Sequence, residues 1–464
     1  MEAPVSEATR TPEGPATFRE VFAQPEFRAL YTANAFSWLG DYLARAAVTV
    51  LVFQESKSVA LSAAAFAVSF LPWLVGGPLL AAVAERHPYR NVMVICDLTR
   101  MVLIGLIAIP GLPVPVILAL LFGVTLANPP SQAARSALLP MLLSGDRLVV
   151  GLAVNTSTGQ AAQIAGYVLG ASVATLNPTT ALLINTGTFA FSAILIRFGI
   201  QQRAAAMTPE HRSHLLRETA EGFKLVFGTP VLRSIAVIVF ASMLFAIVPE
   251  GLAAGWAAKF VDVSDPDHPS AGLVQAMIMI ASPVGFILGG LTIGRGLRPD
   301  VRRAMIRPFA VLAPLALVPA LLNPTPPVVA LMALISGFAV AGLLPVANGL
   351  FVQALPPGFR ARAFGVMSSG IQVLQGGAVL VTGVLASRFN IPTVVGLWSI
   401  GGVLLMLVVS TQWPSTADFN AAIANASRQT RMGAEVRPAQ RSAEESIDDR
   451  APGSPSPQGG VSTL

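Results

Sequence analysis

The chain has 464 residues, 53% hydrophobic and only 12% charged, with a mean hydropathy of +0.66. Soluble domains carry about 25% charged residues, so soluble enzymes, nucleic-acid binders and disordered scaffolds are poor explanations, and an integral membrane protein is expected. A net charge of +6 would suggest nucleic acid for a soluble chain; in a membrane protein the excess belongs to cytoplasmic loops, with no nucleic acid involved.

Residues 1–27 are polar and charged, with no apolar core of signal-peptide length, so a cytoplasmic N-terminal tail is expected. Twelve apolar runs follow, at 29–53, 59–84, 92–111, 114–140, 149–175, 180–200, 234–261, 271–294, 304–323, 327–353, 363–386 and 392–412. Each approaches the ~20 helical residues that cross a hydrocarbon core. None alternates in polarity as a barrel strand would, so the predicted fold is all-α with twelve transmembrane helices. With both termini inside, the external side carries only Lys57, Lys259 and Arg388, while the inner loops hold many arginines, among them Arg86, Arg90, Arg203, Arg298, Arg302 and Arg360. That bias fixes the expected orientation, and the expected location is the plasma membrane.

The polar segment 201–230 divides six spans from six. The predicted organisation is a tail (1–27), a six-helix half (28–200), a cytoplasmic linker (201–230), a second half (231–412) and a disordered cytoplasmic tail (413–464). The linker reads as a short amphipathic helix on the membrane surface. The halves echo each other: Gln160 and Gln163 recur as Gln372 and Gln375, 212 positions later, as a duplicated unit predicts.

Charges near the bilayer centre cost ~2.5–3.5 kcal/mol, so each needs an explanation. Asp41 lies ~18 Å into span one at 1.5 Å per residue. It shares a stripe with Asn34, Ser37 and Arg45 that must face protein or water. Asp41 and Arg45 are therefore candidates for proton coupling or substrate binding, or alternatively an i,i+4 ion pair that fixes packing. Glu250, after Pro249, has no cation within two turns of its own helix, as suits a proton carrier; its place towards the external mouth also allows simple solvation. Asn128, Gln132 and Arg135 in span four, and Thr156, Gln160, Gln163 and Tyr167 in span five, offer cavity-lining faces, joined by Gln372 and Gln375. Gly159, Gly166 and Gly170 run beside the span-five stripe and permit close helix packing, as do Gly285 and Gly289 in span eight. One cysteine, Cys96, and four scattered histidines point to no disulfide, no metal and no cofactor. The three lysines never follow glycine, which removes the phosphate-cradling loop of an ATP-driven pump.

The stretch Ala81 to Arg90, with Glu85-Arg86 and Arg90-Asn91-Val92-Met93 followed by Asp97 and Arg100, resembles the loop between spans two and three of the major facilitator superfamily. Trp38-Leu39-Gly40-Asp41, Ala137-Leu138-Leu139-Pro140 before Asn155, and Pro356 before Arg360-Ala361-Arg362 resemble the drug:proton antiporter branch that includes macrolide efflux proteins and the enterobactin exporter. The likeness covers about residues 27–412. Glu85, Ala81 and Pro88 depart from the usual loop, and Tyr167 stands where the antiporter signature of span five has proline. The resemblance implies a gate built from Glu85, Arg86, Arg90, Asp97 and Arg100 that latches one transporter state. It also implies a monomeric, non-enzymatic secondary transporter in the lipid bilayer, exporting a lipophilic or amphipathic small molecule in exchange for protons. The sparse buried charge suits a largely apolar cavity. Import of a nutrient or siderophore on the same fold, and a non-transporting sensor that uses the tail, are the alternatives.

Overall fold

The computed structural model describes residues 17–72, 87–143, 146–203, 215–260, 271–355 and 360–424. Span one is Pro25–Ser56, span two opens with Val59–Val68, and span three is Tyr89–Ile107. Span four comprises Val114–Leu126 and Asn128–Leu142, span five is Asp146–Leu176 and span six Pro178–Gly199. After the linker helix Leu215–Gly228, span seven comprises Pro230–Ala246 and Val248–Ala257, and span eight is Ala271–Gly296. Span nine is Ile306–Leu315 with the 3-10 turn Val318–Leu322; spans ten to twelve are Pro326–Ala354, Arg360–Arg388 and Ile391–Thr411.

Several helices start earlier than their apolar runs because start signals lie in the preceding loops. Proline occupies the first turn of spans one, six, seven, ten and twelve, where its missing N–H goes unneeded. Ser58 and Asn177 accept the Leu61 and Thr180 amides as N-caps. Within spans four and seven proline does the opposite. Pro129 and Pro130, and Pro249, remove backbone donors, and each helix breaks just before, at Ala127 and Ile247.

Among the described residues, eight helices are long and apolar enough to cross a membrane, with Val59–Val68 and Ile306–Leu322 as shorter apolar helices. Spans three and five, of 19 and 31 residues, fall outside the eight. Span three carries Arg90, Asp97 and Arg100, the last of which lines the cleft, and span five packs across it on span eight. The result is an all-α membrane protein of two six-helix halves.

The core divides unevenly along the membrane normal. At the end that holds the termini (the near side), one apolar cluster is built wholly from the first half, around Phe27, Leu30, Met93 and Leu138. A second is built wholly from the other half, around Leu232, Phe351, Val366 and Met367. At the far side one cluster unites both halves, Ala63, Phe66, Phe70 and Tyr167 packing with Leu252, Trp256, Val274 and Val379, beside another of the first half alone around Val52, Ile107, Ile117 and Leu182. Span five lies on span eight there, and span two on span eleven. The cleft is sealed at the far side and open at the near side.

Small residues allow this seal. A Cβ on Gly383 would stand 2.3 Å from the Ala63 Cβ. Tighter still is the crossing of spans eight and ten within the second half. A Cβ on Gly285 would meet the Leu334 carbonyl oxygen at 1.9 Å, and one on Gly337 the Ser282 carbonyl at 2.1 Å. Backbone cannot rotate away as a side chain can. Gly285→Val is therefore expected to destabilise by about 3 kcal/mol, the upper end for overpacking, against almost nothing for Gly290→Val, whose Cβ would meet open space. Thermal melting of the two purified variants checks the difference.

One expectation fails at the C-terminal end. The tail assigned to disorder begins with structure: residues 416–424 form a helix. Ser415 and Asp418 cap it reciprocally, the Ser415 amide donating to Asp418 at 2.9 Å and the Asp418 amide to Ser415 Oγ at 3.2 Å. These hydrogen bonds hold the Asp418 carboxyl below the usual carboxylate range. Trp413 and Phe419 join the apolar cluster of the second half. Composition marked the segment as polar and missed two anchoring rings.

Candidate functional site: a cleft between two unlike walls

Span one presents Asn34, Ser37 and Asp41 on the stripe its sequence predicts, with Asn34 and Ser37 buried. Facing it are Arg100 from span three and Arg135 from span four, just past the helix break. Arg100 is 2% exposed and lies 3.7 Å from Asp41 Oδ2 and 3.8 Å from Asp97 Oδ1. It donates to Ser37 Oγ at 3.3 Å and to Asn128 Oδ1, with the Phe189 ring 5.5 Å from its guanidinium carbon. Arg135 stands 3.6 Å from Asp97 and donates to Asn34 Oδ1 and Ser37 Oγ. Asp97 is fully buried and accepts the Ser192 hydroxyl at 2.6 Å. Two carboxylates and two guanidinia thus alternate across spans one, three and four, with amides and hydroxyls taking further hydrogen bonds, while Arg100 Nε and Arg135 Nε have no hydrogen-bond partner. Buried charge persists only when paired in this way.

Arg45 takes no part in that network. Its guanidinium carbon lies 5.4 Å from the centre of the Tyr42 ring, 5.4 Å from Phe66 and 5.2 Å from Phe70, a cation held by three aromatic faces. The i,i+4 ion pair of Asp41 with Arg45 is therefore not how the helix resolves its charges. Asp41 turns to Arg100, and Arg45 to rings from spans one and two.

Glu250 also departs from expectation. It is 5% exposed, not solvated at a mouth, and Oε2 accepts the Tyr167 hydroxyl at 3.1 Å. The break at Ile247 puts it in the first turn of the outer segment of span seven, where free amides favour a carboxylate.

Two adjoining cavities occupy the cleft. The nearer, of about 290 Å³, is walled by the first half, including Asn34, Trp38, Asp41, Arg100, Asn128 and Arg135. The deeper, of about 260 Å³, is walled mainly by Met243, Ile247, Phe286, Val340 and Leu344 of the second half, with Glu250 among them. Tyr42, Arg45 and Gln372 border both. The first wall carries three arginines and several amides and is not the largely apolar lining expected; the second mixes Met243, Ile247, Phe286, Val340 and Leu344 with Glu250, Ser282, Gln372 and Gln375.

Of the remaining candidates, Gln132 lines the nearer cavity, and Gln163 and Gln375 the deeper one. Gln160 is half-buried and borders neither cavity; the side chain of Thr156 lies outside the described residues. Gly159 packs on the Trp38 ring, and Gly166 and Gly170 on the backbone of span one. Among the described members of the expected gate set, Arg90 stands apart from Asp97 and Arg100. Glu85 and Arg86 lie outside the described residues, and Arg90 binds the Ile200 carbonyl and Gln202 at the end of span six. Asp97 and Arg100 instead point into the central network, because Asp41 and Arg135 offer them partners there. Ser192 escaped notice in the sequence, although Asn185, Thr188 and Ser192 follow i, i+3 and i+7 on span six and are all buried.

A helical bundle in two halves, with a binding-sized cleft at their junction closed at one end, has the construction of an alternating-access carrier. The Major Facilitator Superfamily profile matches residues 30–334, and the chain belongs to that family. A search of curated proteins finds no match. Among solved structures, a mutant of the nucleoside transporter NupG superposes with a TM-score of 0.70 at 16% identity, over 84% of this chain and 100% of that one. A POT family transporter in complex with 5-aminolevulinic acid gives 0.66 at 11%, over 83% and 95%. The peptide transporter POT, as a mutant with alafosfalin, gives 0.64 at 14%, over 85% and 95%. At these identities the likeness shows the fold alone.

Proposed function

We propose that the protein is a secondary transporter that exports lipophilic or amphipathic small molecules in exchange for protons, by rocking its halves about the cleft. The contrast between the cavity walls carries this reading. A first-half wall with three arginines faces a second-half wall that sets Met243, Phe286, Val340 and Leu344 beside Glu250 and two glutamines, across a cleft open at the near side, so an amphipathic molecule finds both polar and apolar partners. Arginine-rich loops at the near side support a cytoplasmic location for that end, and the likeness of span one and the loop around Arg90 to drug:proton antiporters supports the outward direction. One proton crossing 100 mV supplies ~2.3 kcal/mol, enough for a concentration ratio of tens. Glu250, buried between the halves, is the proposed proton site, and Asp41, the most accessible carboxylate of the network, the proposed substrate-facing one.

The test is accumulation of a lipophilic fluorescent dye in cells that express the wild type or Asp41→Asn, with and without a protonophore. Low accumulation in the wild type alone, abolished by the protonophore, is expected. Higher accumulation in wild-type cells than in controls would reverse the direction to import. No effect in any cell would withdraw broad drug export.

A further inference from the structure

Among the described residues, two polar links cross from one half to the other, and both lie in the far-side seal. Gln275 of span eight donates to the Ala46 carbonyl at 3.5 Å and to Thr49 Oγ1 at 3.3 Å. Tyr167 of span five donates to Glu250 of span seven. Only the second involves an ionisable acceptor, and its donor is unusually well fixed. The Tyr167 ring is fully buried and meets Tyr42 edge-on, with centroids 5.3 Å apart. Gly166 and Gly170 bracket it. A Cβ on Gly166 would stand 2.8 Å from the Leu39 carbonyl oxygen, and one on Gly170 2.4 Å from that of Leu43. Span five therefore lies directly on the backbone of span one, and the tyrosine reaches past it to the opposite half. Tyr167 is no part of the charge network around Asp97.

The surroundings of Glu250 are simple. Among the described residues, the titratable or charged groups that face it are Tyr42 and Arg45 of span one and Tyr167 of span five. Spans two, eight and eleven border its cavity with Phe70, Ser282, Phe286, Gln372 and Gln375, and span ten with aliphatic side chains and Gly337. The carboxylate thus has one direct donor and one nearby cation, and both belong to the other half.

Resting on the exchange reading above, we propose that Tyr167 is the positioning residue of proton coupling. Its hydroxyl, with Arg45 beside it, clamps the Glu250 carboxylate across the closed far side. Rocking to the other state separates spans five and seven, removes the donor, and leaves the carboxyl facing far-side water, from which it takes a proton. Closing the far side returns the hydroxyl and Arg45 to the carboxyl, and the proton leaves to water in the near-side cleft. One proton crosses per cycle and no bond other than O–H is made or broken. A charge-assisted hydrogen bond that exists in one state only biases the equilibrium towards that state.

The test needs no substrate. In the full chain with Cys96→Ser, a reporter Ala63→Cys sits fully buried in the far-side seal against Gly383, so its reaction with a maleimide measures far-side opening in nanodiscs. Because only the thiolate reacts, each rate is divided by that of a freely exposed cysteine at the same pH; on that scale the parent is expected to label faster as pH falls from about 8 to about 5. Glu250→Gln should label fast at every pH. Tyr167→Phe should label roughly tenfold faster than the parent at high pH, the change in equilibrium that one such hydrogen bond accounts for, with a flattened pH profile. Tyr167→Phe combined with Glu250→Gln should match Glu250→Gln alone. A Tyr167→Phe profile identical to the parent's, additive effects in the double variant, or a parent indifferent to pH would each overturn the proposal. Because the dye assay is separate, failure of dye export beside the expected labelling would count against the export reading and not against the clamp.

Discussion

Asp97→Ala is expected to destabilise the folded chain by about 3–5 kcal/mol, the cost of leaving buried charge without its partner. Asp97 is fully buried and stands within 4 Å of both Arg100 and Arg135 while accepting the Ser192 hydroxyl. Its removal leaves Arg100 with Asp41 alone and Arg135 with neutral acceptors only. Asp41→Ala should cost less, because the Asp41 side chain is 21% exposed and water in the cleft can reorganise around the remaining guanidinium. Thermal unfolding of the two purified variants gives the comparison. Equal melting temperatures, or a larger loss for Asp41→Ala, would mean that the network is not the buried keystone its geometry describes.

Glu250→Gln should separate binding from coupling. Glutamine keeps the shape but not the charge that holds the Tyr167 hydroxyl and Arg45, so folding and the cleft should survive while the far-side clamp is lost. What it cannot do is carry a proton. Uphill movement driven by an imposed proton gradient is expected to fall from a concentration ratio of tens to about unity, while exchange of the same dye down its own gradient continues in reconstituted vesicles. Its rate should no longer vary with pH over the range in which the wild type does. Retained uphill transport would move the proton site elsewhere, with Asp41 the next carboxyl to test.

Much of the fold was legible because lipid leaves few options. Twelve apolar runs, an arginine-rich side and a central polar linker follow from hydropathy and charge, and the glycines of spans five and eight announced close crossings. The site was legible as a set of residue types but not as a set of partners. The i,i+4 rule sees only one helix, so it offered Arg45 to Asp41; the partner was Arg100, brought alongside by the packing of spans one, three and six. Arg45 found three rings, two of them on the next span. Glu250 looked unaccompanied because its donor, Tyr167, lies 83 positions away on the other half. Chain position likewise suggested solvent at a mouth, where tertiary packing supplied a seal.

The unlike walls of the cleft have a consequence for how the protein can change. On the first half, Asp97, Arg100 and Arg135 are each held by two or more partners, so altering one strands its neighbours. The facing surface of Met243, Phe286, Val340 and Leu344 is bound by no such obligations, since apolar side chains of similar volume exchange at little cost. Shifts in the range of molecules carried should therefore accumulate on the second half, drifting by size and shape. The electrostatic wall across from it stays fixed, and one lineage of such proteins can widen its diet without relearning how to fold.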